Sequence, residues 1–279
     1  MVMAPVWLTV VAWLYLSVCC CSAGIIAYDV AFGRRHQPMA VMNLVFPITA
    51  LYFGPVALAV YWRMGRAGTR ATKLSKCMSL AGVSSAAAAS VNTGMQMPGH
   101  AHPDDLPGTV GSASAHGPAN AIERARPWWV TIAIEVSHCG SGCTLGDVIS
   151  ELVIFRLGVK IAGATLGAEY VGDYILALMF GIIFQYFAIA PMRGLGLKDG
   201  LVAAAKADFI SLTAFEVGLF GWMAVTAFVL FPAPHQLTPS SAAYWFLMQI
   251  GMILGYFTSW PVNVWLVNRG IKVPMRSGH

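Results

Sequence analysis

The sequence contains few charged residues. Of its 279 residues, 10% are charged and 57% are apolar, whereas ordinary soluble domains have about 25% charged residues. This shortage excludes a water-soluble globular enzyme, and the mean hydropathy of +0.67 favours an integral membrane protein. The chain also lacks a Walker loop, a dinucleotide-binding fingerprint, a serine-hydrolase elbow and a zincin motif. We therefore expect no nucleotide cofactor, and the sequence favours a non-enzymatic function.

The sequence lacks the spaced cysteines of a disulfide framework. Of the six cysteines, three are consecutive at 19–21 inside an apolar run and Cys77 stands alone in a basic stretch. This arrangement is not typical of a disulfide-rich scaffold. The other two, Cys139 and Cys143, lie beside His138 and are the main chemical signal in the chain.

Six long apolar segments predict an all-α polytopic bundle of transmembrane helices, because a bilayer core needs about 20 apolar residues per helix. Residues 1–62 hold two of these helices, and residues 128–276 form a four-helix membrane domain. Between them, residues 63–127 are first basic and then rich in Ala, Gly, Ser and His, which predicts a flexible loop. The predicted spans are 6–32, 39–62, 128–157, 161–190, 201–231 and 242–268.

Basic residues predict the orientation of the bundle. If both termini are cytoplasmic, twelve Lys and Arg residues, including Lys272, lie on the inner side and four on the outer side. This bias predicts cytoplasmic termini and a multi-pass protein of the cell inner (plasma) membrane. The net charge of +5 is therefore explained by orientation, and we expect no nucleic-acid partner.

The third, fourth and fifth predicted spans contain seven of the 12 acidic residues. A carboxylate in the middle of a bilayer costs about 3 kcal/mol, so these side chains should face the bundle interior, pair, bind a cation or stay protonated. In span five, Asp208, Ser211 and Glu216 share roughly one side, which makes the two acids candidates for a proton or ion relay. The seven are Glu135, Asp147, Glu151, Glu169, Asp173, Asp208 and Glu216.

The run IEVSHCGSGCTLGDVISE in span three has a period of four that places its polar residues along one helix face. With His138, this face offers thiol, imidazole and carboxylate groups as ligands for a soft or borderline metal, and two thiols with an imidazole favour copper or zinc. The predicted ligands are Glu135, His138, Cys139, Cys143 and Asp147.

Glycine residues leave two interpretations of this run open. Gly140, Gly142 and Gly146 each weaken a helix by about 1 kcal/mol, which permits an unwound segment of the kind that lines ion sites. Alternatively, they allow close packing of a neighbouring helix, with the cysteines as small buried hydrophobes. Met248 and Met252 in span six are expected to face lipid or to pack, and proximity to Cys139 would make them soft ligands.

The loop contains MQMPGHAHPDD, a short tract of thioethers, imidazoles and carboxylates. Histidine-rich tracts of this kind bind metals. His100 and His102 are therefore candidate copper or zinc ligands, and the alternative is a solvated linker.

Three blocks, SHCGSGCTLGD, ADFISLTAFE and SWPVNVWLVNRGIK, resemble the hallmark blocks of a bacterial membrane family catalogued as domain of unknown function 4396. The resemblance covers about residues 128–276. It implies an integral membrane bundle and no particular activity. The family's block residues correspond to His138, Cys139, Gly142, Cys143, Gly146, Asp147, Asp208, Glu216, Pro261 and Asn263.

Three functions are compatible with these patterns. The first is handling of a soft metal ion, most simply copper, by an intramembrane site with the His/Met loop as a feeder. The second is proton- or cation-coupled transport through the intramembrane carboxylates. The third is a membrane scaffold or accessory subunit without transport. The expected partners are the lipid bilayer, a metal ion or small cation, and a second copy or another subunit of a membrane complex.

Overall fold

The computed structural model describes residues 4–32, 41–65, 127–161, 165–193 and 196–272, and within these ranges the chain is helical and contains no strand. The predicted all-α fold is confirmed. Two short π-helical segments, Tyr61–Gly65 and Thr226–Leu230, each continue a preceding α-helix. The helices are α1 (Val6–Ala31), α2 (Met42–Phe53), α3 (Pro55–Val60), α4 (Trp128–Leu157), α5 (Thr165–Arg193), α6 (Leu197–Val225) and α7 (Ala242–Asn268).

Four helices in the described part of the chain are long and apolar enough to cross a membrane. They are α1, the part of α5 up to Ala188, the segment from Asp208 to Leu230, and α7. Although α4 has 30 residues, polar residues and glycines lower its hydropathy. The six predicted spans are thus supported at four positions, and the number of passes remains a prediction.

The second predicted span is broken at Gly54. This glycine has φ +53°, a conformation that residues with a Cβ rarely adopt. Pro55 follows and has no N–H, so the carbonyl of Leu51 loses its helical donor. A side-chain amide of α7 replaces it, since Gln249 Nε2 donates to Leu51 O at 2.6 Å, and Tyr15 Oη of α1 donates to Tyr52 O, also at 2.6 Å.

Gly142 and Gly146 of α4 pack against α5, whereas Gly140 faces Phe215 of α6 and Tyr52 of α2, and α4 is continuous through all three glycines. A Cβ on Gly142 would lie 2.8 Å from Gly181 Cα, and a Cβ on Gly146 would collide with the backbone of Ala177. The expectation of an unwound segment is therefore wrong, because the missing side chains are needed for a close helix crossing. Close packing is the interpretation that the structure supports.

The central helix of the bundle is α4, which contacts α2, α5, α6 and α7. Its inner face packs with α6 and α7 into one core that includes Cys139 and Cys143. Met248 and Met252 lie in the same core and are buried. The alternative that these methionines face lipid is therefore wrong.

Candidate functional site

A stripe of buried polar residues runs along the inner face of α4. The period of four is realised in a regular helix, and all members of the stripe are shielded from solvent. Both cysteine sulfurs face the bundle, as the sequence predicts, since Cys139 is 1% and Cys143 is 0% exposed. The stripe consists of Glu135, His138, Cys139, Cys143, Asp147, Ser150 and Glu151.

One end of the stripe contains a buried lysine. Lys272 follows α7 and is fully buried; its Nζ lies 3.6 Å from Glu135 Oε2 and 3.4 Å from Asp208 Oδ1. Burial by itself lowers the pKa of Lys272, but the attraction of Asp208 and Glu135 outweighs burial and raises the pKa above its usual value. The lysine therefore carries its positive charge into the bundle.

Asn263 holds this end together through its side-chain amide. Its Nδ2 donates to Ser211 Oγ at 2.6 Å and to Ser259 Oγ at 2.9 Å. Because both contacts use the amide nitrogen, Oδ1 is left to accept from Lys272 Nζ, at 3.1 Å. Asn263, which the family resemblance singles out, therefore links the serines of α6 and α7 to the buried cation.

Sequence reasoning missed Lys272. The charge count placed it in the aqueous inner loop, whereas the structure buries it against two acids. One signal was available in the sequence. The helix faces that carry the acids in spans three and five contain no Lys or Arg that could neutralise them, so a cation from elsewhere in the chain was to be expected. In contrast, Lys206, which lies two residues before Asp208 in α6, is exposed.

The middle of the stripe combines the two thiols with one carboxyl of α6. Cys143 lies against Cys139 and interacts electrostatically with Glu216. Glu216 is buried and faces the Cys143 thiol. Apart from this thiol, no described residue donates a hydrogen bond to its carboxyl oxygens. This carboxyl is thus available to a proton or to a cation.

The other end of the stripe is a cluster of four acids. Asp147 interacts with Glu216 and with Asp173 of α5, and Asp173 interacts in turn with Glu151. Glu151 also interacts with Glu169. Glu151 lies beside the Tyr244 hydroxyl and Asp173 beside the Ser150 hydroxyl, whereas Asp147 has no hydrogen-bond partner among the described residues. Their proximity makes full ionisation unfavourable unless protons or cations compensate.

A cavity of about 280 Å³ opens at the acidic end of the stripe. It lies between the last turns of α4 and α6, the first turns of α5 and α7, and the two segments that connect them. Glu169 lines the cavity together with Tyr244 and Trp222. The acidic cluster is therefore connected through Glu169 to a space that small ligands can enter.

The stripe is nearly as long as a bilayer core is thick. Glu135 and Glu151 are 16 residues apart in one helix, which corresponds to about 24 Å at 1.5 Å per residue, against about 30 Å of hydrocarbon. The polar groups thus form a chain from the Lys272 end to the cavity end.

The predicted metal ligands are only partly brought together. Cys139 and Cys143 are neighbours, whereas the ring of His138 packs beside Phe184, with 6.2 Å between ring centroids. In the described ranges no group of three or more His, Cys, Asp and Glu side chains has the arrangement of a metal site. His100 and His102 lie outside the described residues.

Comparison with known proteins identifies the family. Residues 128–272 match a family described as a domain of unknown function, DUF4396. The chain belongs to this family. No curated protein and no solved structure is significantly similar to the chain. The DUF4396 segment comprises α4 to α7 and ends at Lys272, so it contains the complete polar stripe and the acids that the described residues place in contact with it.

Proposed function

We propose that this DUF4396 protein transports protons or small cations across a membrane along the polar stripe of α4. The observation that carries the proposal is the unbroken series of buried carboxyls from Glu216 to Glu169, each of which interacts with the next. Ionisable residues inside a bundle typically mark proton or ion pathways.

The arrangement of charges supports this proposal. Glu216, Asp147, Asp173 and Glu151 interact with one another, so ionising one carboxyl makes ionisation of the next less favourable. A proton or cation that enters from Glu169 at the cavity relieves this repulsion. It then moves to the next carboxyl at small cost, because neighbouring sites are chemically similar.

The proposal includes a topology of six passes in the cell inner (plasma) membrane. In it, α2 and α3 together form the second pass, and α4 forms the third because its acids are hidden from lipid. Basic residues favour cytoplasmic termini. The cavity would then face outward, and the Lys272 end would face the cytoplasm.

The experiment is a flux assay in proteoliposomes. The purified protein is reconstituted, a membrane potential is imposed, and the internal pH and the uptake of labelled Na⁺ and Rb⁺ are recorded. We expect flux of at least one of these ions, and we expect Glu216→Gln and Asp147→Asn to reduce it by at least about tenfold, since each removes an ionisable site from the series.

The control is Asp199→Asn, which neutralises an exposed acid in the first turn of α6 and should leave flux unchanged. Gel filtration and thermal unfolding establish that all variants are folded. Absence of flux in the wild type, or equal flux in wild type and Glu216→Gln, would overturn the proposal.

Handling of a soft metal is a second candidate because the two thiols share a core with two thioethers. Cys139, Cys143, Met248 and Met252 belong to one buried cluster, and thiolate and thioether sulfur selects copper(I). In this case copper is the cargo, and the sulfur atoms would carry it through the middle of the stripe.

Anaerobic titration with copper(I) against a competing chelator tests this candidate. We expect binding to weaken in Cys139→Ser with Cys143→Ser and to strengthen from pH 6 to pH 8, because thiols release protons when they bind a metal. Binding that is independent of both pH and the cysteines would remove the candidate. It would direct attention to His100 and His102.

A further inference from the structure

The buried ammonium of Lys272 occupies a pocket of oxygen atoms. Lysine is almost never fully buried unless it is paired, because its flexible stem normally carries the charge to water. Here Nζ has three oxygen neighbours from three helices, at 3.4 Å from Asp208 Oδ1, 3.6 Å from Glu135 Oε2 and 3.1 Å from Asn263 Oδ1. We call these three side chains the lysine seat.

Asp208 has more acceptor capacity than the ammonium uses. The contacts to Asp208 and Glu135 are longer than the 2.7–2.9 Å of a strong charge-assisted hydrogen bond, so the ammonium lies between the acids and is not tightly bound to either. Asp208 is buried, and its Oδ2 has no hydrogen-bond partner in the described residues. An unsatisfied, buried carboxylate oxygen at this place points to a further ligand.

The serines pre-orient the seat for a cation. Ser211 Oγ and Ser259 Oγ lie 3.3 Å apart, and together they bind the Asn263 amide nitrogen. The amide cannot rotate without losing both contacts, so its oxygen stays directed at the position of Lys272 Nζ. Two carboxylates and one fixed amide oxygen form a set of hard ligands, which small cations without a preference for sulfur bind.

Lys272 is held in the seat by a short turn and not by a helix. After α7, Gly270 adopts φ +67° and reverses the backbone. The Ile271 and Lys272 N–H groups then both donate to Leu266 O, at 3.0 Å and 3.2 Å. Withdrawal of the lysine therefore requires this turn to open while α4, α6 and α7 remain packed.

We propose that the lysine seat is a binding site for a monovalent cation and that Lys272 is a tethered competitor that the entering cation displaces. Exchange of one single positive charge for another keeps the charge of the seat constant, whereas a divalent ion would change it. The existence of this site does not depend on the proposed function. Only the statement that the bound cation is also the transported one rests on it. The site lies at the end of the stripe opposite the cavity.

The first experiment measures thermal unfolding of the purified full-length protein in detergent with NaCl, KCl or choline chloride at equal ionic strength. We expect Lys272→Gln to unfold at lower temperature than wild type in choline. Na⁺ or K⁺ should restore it, with an apparent affinity at least about tenfold higher than in wild type, because the competitor is gone. The rise in unfolding temperature on adding Na⁺ or K⁺ should disappear in the double variant Lys272→Gln, Asp208→Asn.

Two controls separate the seat from general charge effects. Lys272→Arg retains a positive charge and should resemble wild type, and Lys206→Gln removes an exposed lysine from α6 and should show no new cation response. A Lys272→Gln protein that folds but responds equally to choline, Na⁺ and K⁺ would overturn the proposed site.

A second measurement uses the wild type and does not depend on the folding of any variant. An amine-reactive succinimidyl ester is applied in choline, Na⁺ or K⁺, and acylation of Lys272 is quantified by mass spectrometry relative to Lys206. We expect Na⁺ or K⁺ to increase labelling of Lys272 alone, and unchanged labelling would contradict displacement.

The seat and the proposed transport can fail separately. A cation response without flux in liposomes would overturn the proposed transport only, and Glu216-dependent flux without a cation response would overturn the seat only.

Discussion

Gln249 of α7 supplies the hydrogen bond that Pro55 cannot give to Leu51. The distance from Gln249 Nε2 to Leu51 O is 2.6 Å, and the two residues are 198 positions apart in the chain. A backbone carbonyl at membrane depth needs such a partner because lipid provides none. A hydrogen bond from the DUF4396 segment thus stabilises the break between α2 and α3.

Gln249→Met should therefore destabilise the protein although it preserves side-chain length. We expect a loss of about 1–3 kcal/mol, the cost of leaving a buried acceptor unsatisfied. Chemical denaturation in detergent gives the free energy of unfolding. Gln236→Met, at an exposed loop position, is the matched control, and equal stability of the two variants would show that water replaces the amide.

Gly142→Ala should destabilise the bundle, whereas Gly221→Ala should not. A Cβ at Gly142 would lie 2.8 Å from Gly181 Cα, a backbone atom that cannot move aside, while a Cβ at Gly221 meets nothing within 4 Å. In an open helical position alanine is favoured over glycine by about 1 kcal/mol. Opposite shifts of the unfolding temperature are expected, and a stabilised Gly142→Ala protein would contradict the close crossing of α4 and α5.

Lys272→Met should cost about 3–5 kcal/mol, because it leaves the buried Asp208 without its cation and removes the positive charge beside Glu135. The raised pKa of Lys272 sets the pH range of this contribution. A group whose pKa rises on folding stabilises fully below its unfolded pKa, here about 10.4, and loses the contribution as pH rises through the higher folded value.

The stability difference between wild type and Lys272→Met should therefore still be present at about pH 9 and should be lost only above about pH 10.4, as the lysine releases its proton. Denaturation curves collected across this range measure it. A difference that disappears already below about pH 9 would mean that Lys272 is not charged in the folded protein.

Cys139 and Cys143 should resist alkylation in the folded protein. Both are buried, whereas Cys20 and Cys21 of α1 are exposed on the surface of the bundle. N-ethylmaleimide applied in mild detergent should label the α1 pair first, as resolved by peptide mass spectrometry. Rapid labelling of Cys143 would show that water and reagent reach the middle of the stripe.

Local patterns in the sequence predicted the stripe because its members belong to one helix. The period of four from Glu135 to Glu151 was sufficient to place both cysteines inside the bundle. The glycines of this run allowed two interpretations, because a missing side chain permits both an unwound segment and a close helix crossing. Only the position of Gly181 on another helix decides between these possibilities.

Contacts between distant residues could not be predicted in this way. Lys272 occurs in a polar stretch that resembles an ordinary cytoplasmic flank, and its burial depends on the turn at Gly270 and on acids of two other helices. Similarly, the second span looked continuous because α2 and α3 are both apolar, and the partner for its free carbonyl is in α7.

The position of Lys272 in the chain has a consequence for biogenesis. Asp208 precedes its cation by 64 residues, which ribosomes need about 3–13 s to synthesise at roughly 5–20 residues per second. During this interval Asp208 reaches the insertion machinery before Lys272 has been made, at about 3 kcal/mol for a charge that enters lipid. Nascent chains that stop before residue 272 therefore lack the cation of Asp208, which makes them natural targets for membrane quality-control proteases.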